Sequence, residues 1–237
     1  MSKLPFVQVI GDWKFAALRI GINQLISPLT AACGIMVVNA TGGGWFHLRS
    51  DGWWFLLSIV VVILTMDFYS YVVHRAQHKF PVLWAMHSLH HSAEALSMIT
   101  GARHFWFEDA LNTAIFPVMG IIFKIPPEVI LTVAAIYIVP DGLLSHMNVR
   151  MSLGRFALWI QNPQYHRIRH SLEPRHLDKN FCKLLPLFDV IFGTTWKPEK
   201  DEFPSTGLAS HDKPAGLLDG FIWPVRHRLS RRLSSIH

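Results

Sequence analysis

Hydrophobic positions along the chain fall into long blocks rather than short alternations. Residues 52–73, GWWFLLSIVVVILTMDFYSYVV, carry one charge, Asp67. As a helix they would run about 33 Å, enough to cross a hydrocarbon core of roughly 30 Å. Trp53 and Trp54 at the start suit an interfacial belt, and His74 and Arg75 follow at the other end. Two more apolar segments, 110–123 and 128–145, are joined by Lys124, Ile125, Pro126, Pro127 and Glu128, a break that suits a tight hairpin. Residues 15–40 are apolar but interrupted by Arg19, Asn23, Gln24, Pro28 and Asn39, and are read as a further span. The pattern predicts an all-α integral membrane bundle of about four spans.

Charge orients the bundle. Lys3, Lys14, Arg19, the stretch from Arg75 to Arg103 and the tail arginines Arg226, Arg228, Arg231 and Arg232 all fall on one side, taken as cytoplasmic. The loops at 41–51 and around 124 fall on the other. This divides the chain into an N-terminal apolar region with its outer loop (1–51), a membrane-embedded domain (52–200) and a basic cytosolic tail facing lipid (201–237). Composition agrees: 51% of residues are hydrophobic, 16% are charged, the mean hydropathy is +0.28 and the formal net charge is +6. Such a chain is not a soluble nucleic-acid binder, which would interleave basic residues with stacking aromatics. Cys33 and Cys182 make no disulfide framework and no zinc-type CxxC pair. The opening MSKLPFVQVIGDW lacks the charged start, apolar run and cleavage site of a removable signal peptide.

Fourteen histidines change the picture. His74 and His78 stand four apart in HRAQH, on one helical face. His87, His90 and His91 follow in HSLHH, where His87 faces both others. His146 ends the second half of the hairpin, and His166 and His170 repeat the four-residue spacing. These histidines lie among Trp84, Met86 and Leu89, where water is not the expected partner of an imidazole. Eight imidazoles exceed what one tetrahedral zinc takes, so two metal ions are the economical reading.

HRAQH, LWAMHSLHHS, SHMNV, NPQYHRIRHS, DKNF and LPLFDVIFGTTW, in that order, resemble the fatty acid hydroxylase and sterol desaturase superfamily over roughly residues 60–200. The resemblance implies a helical membrane enzyme whose histidine-rich cap at the cytosolic face holds two iron ions, taking O2 as co-substrate and oxidising a lipid. It also implies electrons from a separate donor protein, of the cytochrome b5 or ferredoxin type with its reductase. The metal ligands it points to are His74, His78, His87, His90, His91, His146, His166 and His170. One departure is plain. Many members read HxxHH in the last box, whereas Arg169 stands here before His170. Arginine stays protonated and does not ligate metal. Either another group completes the centre, with His104 and His176 the candidates, or one metal is under-ligated, or activity is lost.

A carboxylate inside a span is costly unless paired, and Asp67, Tyr71, His74 and His78 share one helical stripe. Asp67 therefore either accepts a hydrogen bond from the free N–H of a ligand imidazole or bonds to another helix. Asp141, Asn148, Asp178 and Asn180 are similar candidates, while Asp189 is read as structural. His47, His211, His227 and His237 lie away from any ligand spacing and are read as surface residues. Two rival functions remain open: a zinc-dependent membrane hydrolase, which would want a general-base glutamate beside its ligands, and an impaired metal- or lipid-binding relative. The resemblance favours hydroxylation of a C–H bond over desaturation, and sterol, fatty acyl chain and ether lipid all stay open as the substrate.

Overall fold

A computed structural model describes residues 6–137 and 144–234. It is mostly helical, as the block pattern requires. The first helix, α1 (Phe6–Ala40), contains Pro28 and is followed by a two-residue strand, β1 (Phe46–His47). The second helix, α2 (Trp53–Lys79), begins after Gly52, whose positive φ of 53° suits glycine, and continues unbroken through His74 and His78. A single extended residue, Phe80, separates it from α3 (Pro81–His91), whose leading proline has no N–H to leave unpaired.

Beyond a short 3-10 turn at Met98–Ala102 come α4 (Glu108–Thr113), α5 (Ile115–Ile122), a second strand β2 (Phe123–Lys124) and α6 (Pro127–Tyr137). Two short helices, α7 (Pro163–Arg169) and α8 (Leu187–Ile191), and the longer α9 (Leu217–Ser234) follow among the described residues.

Among the described residues two helices are long and apolar enough to cross a membrane, Gln8–Ala40 and Trp53–Lys79. The expected third and fourth crossings are shorter. The 110–123 segment is divided at Ala114 into α4 and α5, and α6 is described for eleven residues, about 16 Å of helix. The rest of the predicted 128–145 segment lies largely outside the described residues.

Ile59 and Val62 of α2, Ile115 and Met119 of α5, and Val129 and Val133 of α6 form one buried cluster. In lipid, apolar surface alone does not drive helices together, so close backbone approach matters more. Gly43 supplies it: an added Cβ would stand 2.7 Å from the carbonyl oxygen of Gly120. Nearby, β1 and β2 pair in parallel, Phe46 with Phe123 and His47 with Lys124. The two loops expected on one side are thus bonded to each other. From Trp53 to His74 is about 31 Å along α2, so the histidines lie at the other end.

Three polar residues of α1, Asp12, Arg19 and Asn23, have partners at that histidine end. Asp12 accepts from Arg103 and Thr100, each at 3.2 Å, and Arg19 donates from Nε to Asp109 at 2.7 Å, with Asn23 donating to the same carboxylate. Asp12, Arg19 and Asn23 are spaced i, i+7, i+11, so one stripe of α1 is polar because it faces charged neighbours.

Candidate metal centre

The eight histidines converge into two groups of four. His74, His78, His87 and His91 form one, and His90, His146, His166 and His170 the other, with the ligand atoms of each group all within 4.8 Å of one another. The helices explain the division. Residues four apart share a face, so α2 contributes His74 with His78 and α3 contributes His87 with His91 to the first group. His90, turned about 100° from His91, is handed to the second. There it meets the pair at His166 and His170 and the single His146. The groups share a wall, where the rings of His91 and His170 stack 4.4 Å apart and those of His87 and His90 lie 5.4 Å apart.

Outward hydrogen bonds fix which nitrogen faces inward. Nδ1 of His74 donates to the carbonyl of Phe181 at 3.1 Å, and Nδ1 of His87 donates to Glu108 at 2.7 Å. Both partners can only accept, so both Nε2 atoms carry bare lone pairs, and these face each other at 3.0 Å. Two lone pairs at that distance repel unless a cation lies between them. Nε2 of His78 and of His91 is buried with no hydrogen-bond partner among the described residues. In the second group Nε2 of His146 stands 2.8 Å from that of His166 and 3.2 Å from that of His90, and His166 and His170 stand 3.1 Å apart. Nitrogens held about 2.0–2.1 Å from a shared ion would be about 3.3 Å from one another in a tetrahedral array, so the donor set fits a metal in each group.

Electrostatics favour the ligand form of the imidazoles. Burial pushes His90, His91, His146, His166 and His170 well below the usual histidine range. Burial also lowers His87 to about 4 against the pull of Glu108. Neutral imidazole is the form that ligates. Burial alone would raise Glu108, but the neighbouring His104 and His87 outweigh it and hold the carboxyl below its ordinary range. A buried carboxylate is thus maintained beside the first group.

Glu108 is the residue the sequence reading passed over. It accepts from His87, from Gln77 at 2.8 Å, from the Phe105 amide at 2.9 Å and from Nδ1 of His104 at 3.2 Å. Its spacing of four from His104 was the available signal. Gln161 was also missed: its amide lies 2.7 Å from Nδ1 of His166 and 3.1 Å from Oγ of Ser145. Only its position just ahead of the NPQYH run hinted at this.

The remaining candidates divide. His104 stands outside both groups of four; it joins His87 and Glu108 in a smaller one, and its ring stacks on His90 at 4.0 Å. His176 is turned away, bonded to Ser171 at 2.8 Å and Glu202 at 3.0 Å, with Arg175 also on that carboxylate. The carboxylate of Asp178 lies 3.2 Å from Nδ1 of His78. Asp67 instead accepts from the backbone amides of Leu184 at 3.0 Å and Leu185 at 2.6 Å, and the imidazole-orienting bond expected of it is made for His74 by Phe181. Asn180, at a positive φ of 61°, bridges Tyr165 and Trp196, and Asn148 accepts from Arg167. Asp189 is structural, as read, gathering Phe181, Cys182, Thr194 and Tyr165. Asp141 and His237 lie outside the described residues. His47 and His211 are exposed, whereas His227 is buried and stacked on Trp223, because α9 folds back onto the cap instead of trailing into solvent.

Arg169 belongs to neither group. Its Nε and Nη2 donate to the carbonyls of Asn180 and Cys182. Those residues flank Phe181, so the guanidinium braces the carbonyl that orients His74. Beside it a cavity of about 500 Å³ opens, walled by His78 and His91 of the first group, Arg169, Trp84, Leu208 and His227. None of the second group lines it, and all four of those are buried.

Two helices long and apolar enough to cross a membrane, together with two adjoining four-imidazole groups, define a helical protein with a paired polyhistidine centre. The comparisons narrow this class. Residues 59–194 match the fatty acid hydroxylase family model, and the chain belongs to that family. It is 26% identical to the ornithine lipid hydroxylase OlsE of Rhizobium tropici over 78% of its own length and 54% of that protein's. It is 30% identical to the human alkylglycerol monooxygenase over 63% of its length and 32% of the other's, and 29% identical to that of Danio rerio over 73% and 35%. The chain therefore spans about half, or about a third, of these relatives. No solved structure matches it.

Proposed function

We propose that this chain is a membrane-embedded non-haem di-iron oxygenase that hydroxylates a C–H bond of a lipid, with its histidine centre at the cytoplasmic face. The carrying observation is the pair of four-nitrogen groups with lone pairs turned inward. His74, His78, His87 and His91 would hold one iron, and His90, His146, His166 and His170 the other. Bound there, iron supplies reductive activation of O2. The overall balance is a C–H bond and O2, with two electrons and two protons, giving an alcohol and water.

The chain's own part is binding, orientation and exclusion of water. Phe181, Asp178 and Glu108 fix three imidazoles of the first group in rotation and tautomer. The cavity brings substrate to that group along Trp84, Leu172 and Leu208, and the second group stays sealed. Glu108 adds a negative charge beside otherwise neutral ligands and offsets metal charge. Both groups reach four nitrogens without Arg169, which supports a competent centre rather than a damaged one. Glu108, buried with four donors on it, is not placed as the general base a zinc hydrolase would need. The names of the relatives support hydroxylation of a lipid, and electrons come from a separate donor protein.

The test is a single turnover. Iron-loaded protein, reduced with dithionite and exposed to 18O2 with membrane lipid extract, should yield a hydroxylated lipid carrying one labelled oxygen. Fully loaded, fully reduced protein that oxidises no lipid would overturn the reading.

A further inference from the structure

The C-terminal helix α9 has two apolar faces, and one of them is unaccounted for. The inner face docks on the cap: Trp223 is fully buried and donates from Nε1 to Oγ of Ser88 on α3 at 2.9 Å, and His227 stacks on it. Gly220 on the same face approaches Phe15 of α1 so closely that an added Cβ would stand 2.2 Å from its ring. The outer face carries Leu218, Phe221, Ile222 and Val225, exposed by 86%, 49%, 56% and 64%. Their spacing, i, i+3, i+4, i+7, is one continuous helical stripe. Exposed in water, such a stripe would be an aggregation site.

Depth and charge say what covers it. If the last twenty or so residues of α1 cross the hydrocarbon, Phe15 lies about 9 Å beyond the crossing part, near the headgroup layer. Gly220 packs on Phe15, so α9 sits at that level. The ring of Phe221 lies 6.4 Å from that of Trp106, in the aromatic run Phe105, Trp106, Phe107, and α1 carries the exposed apolar residues Trp13 and Ile20. The sequence of α9 holds four arginines, Arg226, Arg228, Arg231 and Arg232, against one acid, Asp219. Basic residues on an amphipathic helix at headgroup depth attract anionic lipid.

We infer that α9 is an interfacial helix, lying in the plane of an anionic membrane surface with Leu218, Phe221, Ile222 and Val225 immersed and Trp223 clamping it to the ligand-bearing helix α3. The inference does not depend on the chemistry of the metal centre. The full-length protein, with exposed Cys33 replaced by serine, would carry a single NBD label at Ile222→Cys or, for contrast, at Lys213→Cys, whose side chain is exposed. In vesicles containing phosphatidylglycerol, the label at 222 should be quenched by lipids bearing a shallow nitroxide and protected from iodide, and the label at 213 the reverse. Replacing the phosphatidylglycerol with phosphatidylcholine should lower nitroxide quenching at 222 by about twofold, because the arginines lose their attraction. Equal iodide access at both positions would overturn the inference. So would protection of 222 from both quenchers, the mark of a protein partner or second copy, or indifference to lipid charge.

Discussion

The two histidine groups contain the same ligands and differ in how they are assembled. The first takes two i, i+4 pairs from consecutive helices, and its His78 and His91 line a cavity of about 500 Å³. The second takes one such pair, borrows His90 from α3 and reaches across to His146, and every member is buried. The first has a carboxylate or carbonyl on three of its outward nitrogens, whereas Nδ1 of His90 and of His170 in the second is buried with no partner among the described residues. An open, oriented group suits contact with reactants. A sealed group suits holding a second ion that the first can share charge with.

The sharpest way to break this comparison is to delete one ligand from each group and try to replace it from solution. His91→Gly and His170→Gly should each lower oxygenase turnover by more than about 100-fold and leave close to one iron per chain instead of two, since a lost ligand costs more than a lost supporting hydrogen bond. Added imidazole should restore activity and iron to His91→Gly, whose vacancy opens on the cavity, and not to His170→Gly. Equal rescue of both would show that the groups are equally accessible.

Glu108 separates the groups by a smaller margin. Glu108→Gln keeps the size and removes the charge that holds His87 and His104, and metal affinity should fall about 10–100-fold. Because His104 stacks on His90, iron should be lost from both groups. Of the eight histidines Gln161 bonds His166 alone, so the loss in Gln161→Leu should be confined to one iron, read as a change in stoichiometry and in the Mössbauer spectrum.

Arg169 tests the first group from behind. His74 depends on the Phe181 carbonyl, and that carbonyl on the guanidinium bonds to Asn180 and Cys182. Arg169→His would supply the imidazole many relatives have at this place but abolish the brace. Turnover should fall by about 10-fold, in the range of lost supporting contacts. A large gain would mean instead that the native centre is short of a ligand.

Much of this was legible in advance, for a physical reason. Periodicity reports which residues share a helix face, so the pairs at 74 and 78, 87 and 91, and 166 and 170 could be read as units, and the long block at 52–73 as a helix. The partition of eight histidines into two fours was not legible, because whether His90 joins His87 or His146 depends on how α3 packs against segments far along the chain. Asp67 illustrates the same limit. Its stripe with His74 was real, yet its carboxylate found the free amides of Leu184 and Leu185 across the fold. A stripe gives direction but not the neighbour it meets. The polar breaks in α1 read as ambiguity for the same reason, until Asp109 and Arg103 were seen opposite them.

Acid stability gives the smallest contrast and the one that needs no metal. A buried imidazole whose folded value is depressed refuses a proton that the unfolded chain accepts. Its contribution to stability is therefore complete above the ordinary histidine value of about 6.5 and is lost as pH falls, for His87 down to about 4. All four histidines of the second group shift in this direction through burial. Metal-free protein in detergent should thus lose unfolding free energy progressively between about pH 6.5 and 4, each such group adding a slope of up to about 1.4 kcal/mol per pH unit. Glu108, also depressed, adds to the loss with the same sign only once the pH nears the ordinary carboxyl value of 4.5. His170→Asn removes one buried titrating group from the sealed site and should flatten the slope measurably. If His170→Asn leaves the slope as it is in the native protein, the second group is not sealed from water, and the distinction between the two sites fails at its root.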